Sequence, residues 1–223
     1  MQRSRSASWR FRQADSQLLH VALFTREAAG LRVEPSRNIP PRLTWAVARH
    51  SAVLDADERA IAATQWAEWW GRLLAYVDDD AKWSEEERGH EVMERLRLMT
   101  ERQAHIFDPP EFQSLASTPA LRKAVITTFD EGLERFNLSK SNMHASTAAE
   151  SLDWDVVRNA AESVAAERGI PPGDLRAVIH ILDVEGSWSY LVAPGCALCS
   201  ASLATDRNAT AIVVHDVFAS GSP

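Results

Sequence analysis

The sequence predicts an α+β fold: a helical N-terminal part packed with a C-terminal helix and a small antiparallel β-meander. Three observations carry that expectation. Apolar residues recur at helical spacing from about residue 15 to the mid-130s. After Pro171-Pro172-Gly173-Asp174 the period drops to two. The later segments are joined by the short turns Glu185-Gly186, Pro194-Gly195 and Asp206-Arg207-Asn208, as consecutive antiparallel strands are.

Residues 1–14, with Arg3, Arg5, Arg10 and Arg12, read as a flexible basic tail. Residues 15–137 form a mainly helical region. Asp15 caps a helix closing at Gly30, with Leu18, Leu19, Ala22 and Leu23 as its apolar stripe. A strand through Leu19–Phe24 is the competing reading. Pro35, Pro40 and Pro41 then enforce an extended surface connection. Asp55 and Glu58 form a capping box before a helix that carries Ala62, Trp66, Trp69, Trp70, Leu73 and Val77 on one side. That helix is expected to end near Asp78-Asp79-Asp80, where three carboxylates oppose the C-terminal dipole. Ser84 caps the next, whose buried stripe includes Val92, Met93, Leu96, Met99, Ile106 and Phe107 before Pro109 and Pro110. Thr118-Pro119 starts a further helix with Leu121, Val125, Phe129, Leu133 and Phe136 inward.

Residues 138–150 lose both period and hydrophobicity and read as a linker. Residues 151–219 form an α+β region. Ser151 caps a helix with Val157, Ala160, Ala161 and Val164 inward and Gly169 as its stop. Strands follow at Leu175–Val184, Ser187–Ala193, Ala197–Ala204 and Ala209–Phe218.

Composition bounds the function. The chain is 45% hydrophobic and 25% charged, which excludes low-complexity and largely disordered classes. Its two cysteines cannot form a disulfide framework. No apolar run approaches the ~20 residues of a membrane span, and no apolar segment follows the first arginines as in a secretory signal. The expectation is a soluble, cytoplasmic protein with no membrane association. Net charge is −7, unevenly spread. Residues 1–50 hold nine arginines against Asp15, Glu27 and Glu34, whereas both later stretches are acidic. An acidic body repels phosphate backbones, so nucleic acid is not an expected partner.

Two clusters carry candidate chemistry. Cys196 and Cys199, with His180 and His215 on flanking segments, are the candidate metal ligands, and zinc is the ion such a set would hold. Residues three apart on a strand point to opposite faces, so both thiols converge only if the backbone turns between them. Buried cysteines acting as small apolar residues are the competing account. The stretch around them resembles the active-site turn of thioredoxins, but too little chain follows Cys199 for that fold. Trp66, Trp69 and Trp70 form the second cluster, lining a ligand pocket or filling a helical core. Glu87 and His90 have the Glu-x-x-His spacing of a di-iron helix without the second pair such a centre needs. Neither a nucleophile elbow nor a glycine-rich phosphate loop occurs.

No cofactor is therefore expected. The leading expectation is a non-catalytic binding or protein-interaction protein that forms a homo-oligomer or takes a protein partner, its basic first segment docking on acidic surface. The alternatives are a metal- or thiol-dependent enzyme using Cys196 and Cys199 with His180 or His215, and a small-ligand sensor with a pocket at Trp66, Trp69 and Trp70.

Overall fold

A computed structural model describes residues 9–34, 36–50, 52–86, 92–145 and 152–221. The fold is α+β, with one mixed four-stranded sheet among the described residues. Two compact units make it up: residues 16–145, and a unit assembled from both ends of the chain, residues 1–15 with 146–223. Among the described residues no helix is long and apolar enough to cross a membrane.

Among the described residues, the unit of residues 16–145 is built on four α-helices, α1 (Gln17–Ala28), α2 (Ala56–Glu86), α3 (Val92–Ala104) and α4 (Pro119–Ala145). Ser16, not Asp15, caps α1, accepting from Leu19 N at 3.4 Å, and Gly30 follows it with φ 65°. The segment Leu19–Phe24 is helical, and α1 is buried nearly all round, as the central member of a bundle must be. Gly132 of α4 lets it approach closely; a Cβ there would stand 3.0 Å from the Phe24 ring. The capping box forms reciprocally, with Asp55 N donating to Glu58 Oε2 at 3.1 Å and Glu58 N to Asp55 Oδ1 at 2.8 Å. Asp78-Asp79-Asp80 does not end α2, which continues through Ser84 to Glu86. Arg102 of α3 stands 3.9 Å from Asp79 and over the Tyr76 ring, bringing positive charge beside that acidic stretch. The stripe expected on α3 is only partly inward: Ile106 and Phe107 beyond its end are buried, whereas Met93 is exposed. On α4, Leu121, Val125, Phe129 and Phe136 are buried and Leu133 is half-buried. The helix runs to Ala145, through the first part of the segment expected to be a linker; 146–150 lies outside the described residues, as do Glu87 and His90.

The second unit contains β1 (Arg10–Ala14), α5 (Trp154–Arg168), β2 (Arg176–Leu182), β3 (Ser189–Ala193), β4 (Cys196–Ser200), α6 (Ala201–Thr205) and α7 (Arg207–Gly221). Sheet order is β1-β2-β4-β3, with β1 and β4 both parallel to β2 and only β3 antiparallel to its neighbour β4. This corrects the expected antiparallel meander. The chain leaves β2, passes one strand position, descends as β3, and returns through the Pro194-Gly195 turn into the gap as β4. Gly195 takes φ 80° there, a conformation that disfavours side chains.

Further expectations are corrected. Residues 10–14 are not tail but strand, and Arg10 N donates to Leu175 O at 3.0 Å. Ala209–Phe218 is helix α7, and Ala201–Thr205 of the preceding expected strand is α6. Asp206 Oδ1 caps α7, accepting from Asn208 N at 2.9 Å and Ala209 N at 3.1 Å. Thr210, Val214, Val217 and Phe218 then fall on one helical side and are buried. Asp153, rather than Ser151, caps α5, which stops at Gly169 with φ 64°. The helix α5 brings Val157, Ala161 and Val164, and α7 its Val214, Val217 and Phe218, into one core with Ile179, Ile181, Ala197 and Cys199 of the sheet.

Candidate functional site

Trp66, Trp69 and Trp70 are fully buried. The Trp66 and Trp70 rings stack at 5.3 Å and 10°, and Trp69 lies parallel to Phe107 at 6.5 Å. Each indole N–H already has an acceptor: Trp66 donates to Ala22 O at 2.8 Å, Trp69 to Ile106 O at 3.2 Å and Trp70 to Asn38 O at 2.8 Å. Rings and donors are spent on holding the helices together. The trio fills a core, and a ligand pocket at these residues has neither an exposed ring face nor an uncommitted donor.

The four candidate metal ligands are not brought together. Cys199 belongs to the core between sheet and helices. Cys196 and His180 lie in register with Val178 and Leu198 on the other face of the sheet, and both are buried. His215 stands on α7, and its Nε2 lies 3.1 and 3.2 Å from the two oxygens of Glu167 on α5. The Ser163 hydroxyl and His215 together hold the Glu167 carboxyl below the usual range. Burial pushes the Cys199 thiol up to about 12, so it resists the ionisation that metal binding or nucleophilic attack requires. Among the described residues no three His, Cys, Asp or Glu side chains are placed to share a metal ion.

The basic N-terminal segment is partly consumed internally. Arg26 is buried, donates to Pro40 O at 2.7 Å and Pro41 O at 2.6 Å, pairs with Glu27 at 2.8 Å and sits 5.4 Å over the Trp66 ring. Its charge organises the Pro40-Pro41 connection rather than an outer surface.

Among the described residues, no strand pairs with the outer edge of β3. The strand is Ser-Tyr-Leu-Val-Ala, without charge or proline. Ser189 and Leu191 are exposed, the latter at 40%. At its start, Ser200 N donates to Trp188 O at 2.8 Å, Trp188 N donates to Ser200 Oγ at 3.1 Å, and Ser202 Oγ donates to Gly186 O. At its end, Gly195 N donates to Ser220 Oγ at 3.1 Å, with Gly221 packed directly on Gly195. The Trp188 and Tyr190 rings stack alongside at 6.5 Å and 19°. Because Trp188 bonds inward to β4, antiparallel alternation turns the N–H and C=O groups of Ser189 and Leu191 outward. A bulge between Leu191 and Ala193 bends only the far end.

The opposite edge differs. Gln13 Oε1 of β1 accepts from Leu152 N at 3.0 Å, and the Trp154 ring stacks on Trp9 at 6.0 Å and meets Phe11 edge-on at 5.8 Å. Arg10 and Arg12 also stand on that strand, and charge guards an edge. Sequence reasoning placed Ser187–Ala193 as a strand and passed over its edge, because edge position follows from sheet order. The signal available was a chargeless strand between two glycine turns. Comparison of the chain with protein-family models, with curated proteins and with solved structures finds no match.

Proposed function

We propose that this chain is a non-catalytic, cytoplasmic binding protein that works by protein–protein association, taking an extended segment of another polypeptide as a strand added to the outer edge of β3. One observation carries the reading. In a chain that is 25% charged, β3 is an edge strand with no charge and no proline, rigidly anchored at both ends, with Leu191 exposed. Proteins ordinarily guard such edges, and strand addition is the recognition mode that an unguarded edge serves. Outward main-chain groups of Ser189 and Leu191 supply affinity, and the Trp188–Tyr190 stack supplies a surface for alternate side chains of the incoming segment. The metal- or thiol-dependent alternative needs Cys196 and Cys199 together with His180 or His215, whereas the two cysteines face opposite sides of the sheet. A tryptophan-pocket sensor needs an opening beside Trp66, Trp69 and Trp70. Strand addition needs only groups already at the surface.

The test is to pan a display library of short random peptides against the full chain, with the Leu191→Lys variant as the counter-target. Extended, sparsely charged peptides that bind the parent and lose at least about tenfold in affinity on the variant support the reading. Enrichment of no peptide, or of peptides indifferent to Leu191→Lys, overturns it.

A further inference from the structure

Resting on that reading, we infer that the strand received by β3 is the β3 of a second copy of this chain, paired antiparallel about a two-fold axis at Tyr190. The register follows from which groups face outward. Ser189 and Leu191 present their main-chain groups to the edge, so they must form the hydrogen-bonded pairs. Centring on Tyr190 sets Ser189 opposite the partner's Leu191, and Leu191 opposite the partner's Ser189, for about four main-chain hydrogen bonds. Tyr190 then meets the partner's Tyr190 in a non-hydrogen-bonded pair, where side chains approach most closely. Trp188 meets the partner's Val192. Aromatic–aromatic and aromatic–β-branched pairs are the favoured cross-strand combinations. The bulge falls at the end of this register rather than in its middle.

A second copy fits better than an unrelated chain for two reasons. The pairing is self-complementary and opposes no two charges, since β3 has none. It also closes at two chains. Further growth would have to use the remaining β1 edges, but that strand carries Arg10 and Arg12, and Gln13 holds Leu152 beside it. The charge balance does not favour the pairing but gives it a signature. Each copy carries −7, so copies repel and salt strengthens their pairing. Docking of a basic segment on an acidic surface would weaken with salt instead. A five-residue strand buries far less than the ~1,600 Å² of a standard interface, so the association is weak and concentration-dependent.

The experiment is sedimentation of the full chain from about 1 μM to about 1 mM, at low and high salt, beside Leu191→Pro and Ser189→Lys. Leu191→Pro deletes an outward N–H and leaves the inward ladder intact, whereas Ser189→Lys places a charge on an already exposed position. The expected result is a monomer–dimer equilibrium that shifts toward dimer with salt, weakened about tenfold or more by either variant. Amide exchange at Ser189 and Leu191 should slow as dimer forms. A parent that stays monomeric at the top of the range while β3-dependent peptides still bind overturns the second-copy inference and leaves strand addition standing. A dimer indifferent to both variants, or one dissolved by salt, also overturns it. A monomer that selects no β3-dependent peptide overturns both.

Discussion

Cys199 stands on β4 within the core shared by sheet and helices, and burial pushes its thiol up to about 12. In the unfolded chain the same thiol ionises near pH ~8.5. Above that pH the unfolded state sheds a proton that the folded state keeps. The Cys199 contribution to stability is therefore whole below about pH 8.5 and is lost progressively as pH rises toward about 12. Denaturant midpoints at pH 8 and pH 10 should show the parent losing about 2 kcal/mol more than Cys199→Ala over that interval. Equal losses would show that the thiol ionises freely in the folded protein. The opposite facing of Cys196 and Cys199 was legible in the sequence, because residues three apart on a strand cannot share a face. The role of the tryptophans was only half legible. Helical spacing put Trp66, Trp69 and Trp70 in line with Leu73 and Val77, but whether their N–H groups were committed depended on Ala22, Ile106 and Asn38, acceptors distant along the chain.

At the scale of elements, α7 and β1 show how local pattern misleads. Ile212-Val213-Val214 has the β-branched character of a strand, yet Asp206 caps a helix there and the spacing of Thr210, Val214, Val217 and Phe218 agrees with the cap. In β1, Trp9 and Phe11 alternate with Arg10 and Arg12, a period of two hidden inside an arginine-rich stretch. The helices with clean caps, α2 with its capping box and α5 with Gly169, were legible because both signals are local. The end of α7 makes a testable contact. A Cβ on Gly221 would stand 2.6 Å from Gly195 Cα and 2.8 Å from Arg176 O, both main-chain atoms with little room to yield. Gly221→Ala should cost about 1–3 kcal/mol. Gly71→Ala in α2 meets nothing within 4 Å and should stabilise by about 0.5–1 kcal/mol. Thermal melts of the two variants should move in opposite directions; a neutral Gly221→Ala would mean that the helix end is not seated on the turn.

The whole molecule is organised by a pairing that no local window contains. Arg10–Ala14 lies in register against Arg176–His180, so one unit is made from the two ends of the chain while residues 16–145 form the other. Sheet order, and with it the open β3 edge, was illegible for the same reason: a strand's neighbours are set by long-range closure, whereas turns and periods report only what is adjacent in sequence. Long-range closure also makes the N-terminal strand more important than a terminal position suggests. The strand β1 supplies the parallel ladder along one side of β2, and Trp9 and Phe11 lie against Trp154 and Phe218 over the same core. A chain lacking residues 1–14 should lose that ladder and uncover those rings. Hydrogen exchange followed by mass spectrometry should then show the β2 segment Arg176–Leu182 exchanging faster than in the parent. Trp9→Ala with Phe11→Ala should produce a smaller acceleration, because the ladder survives and only the ring contacts go. Unchanged protection of β2 in the truncated chain would mean that its remaining neighbour β4, with the helices α5 and α7, holds it unaided.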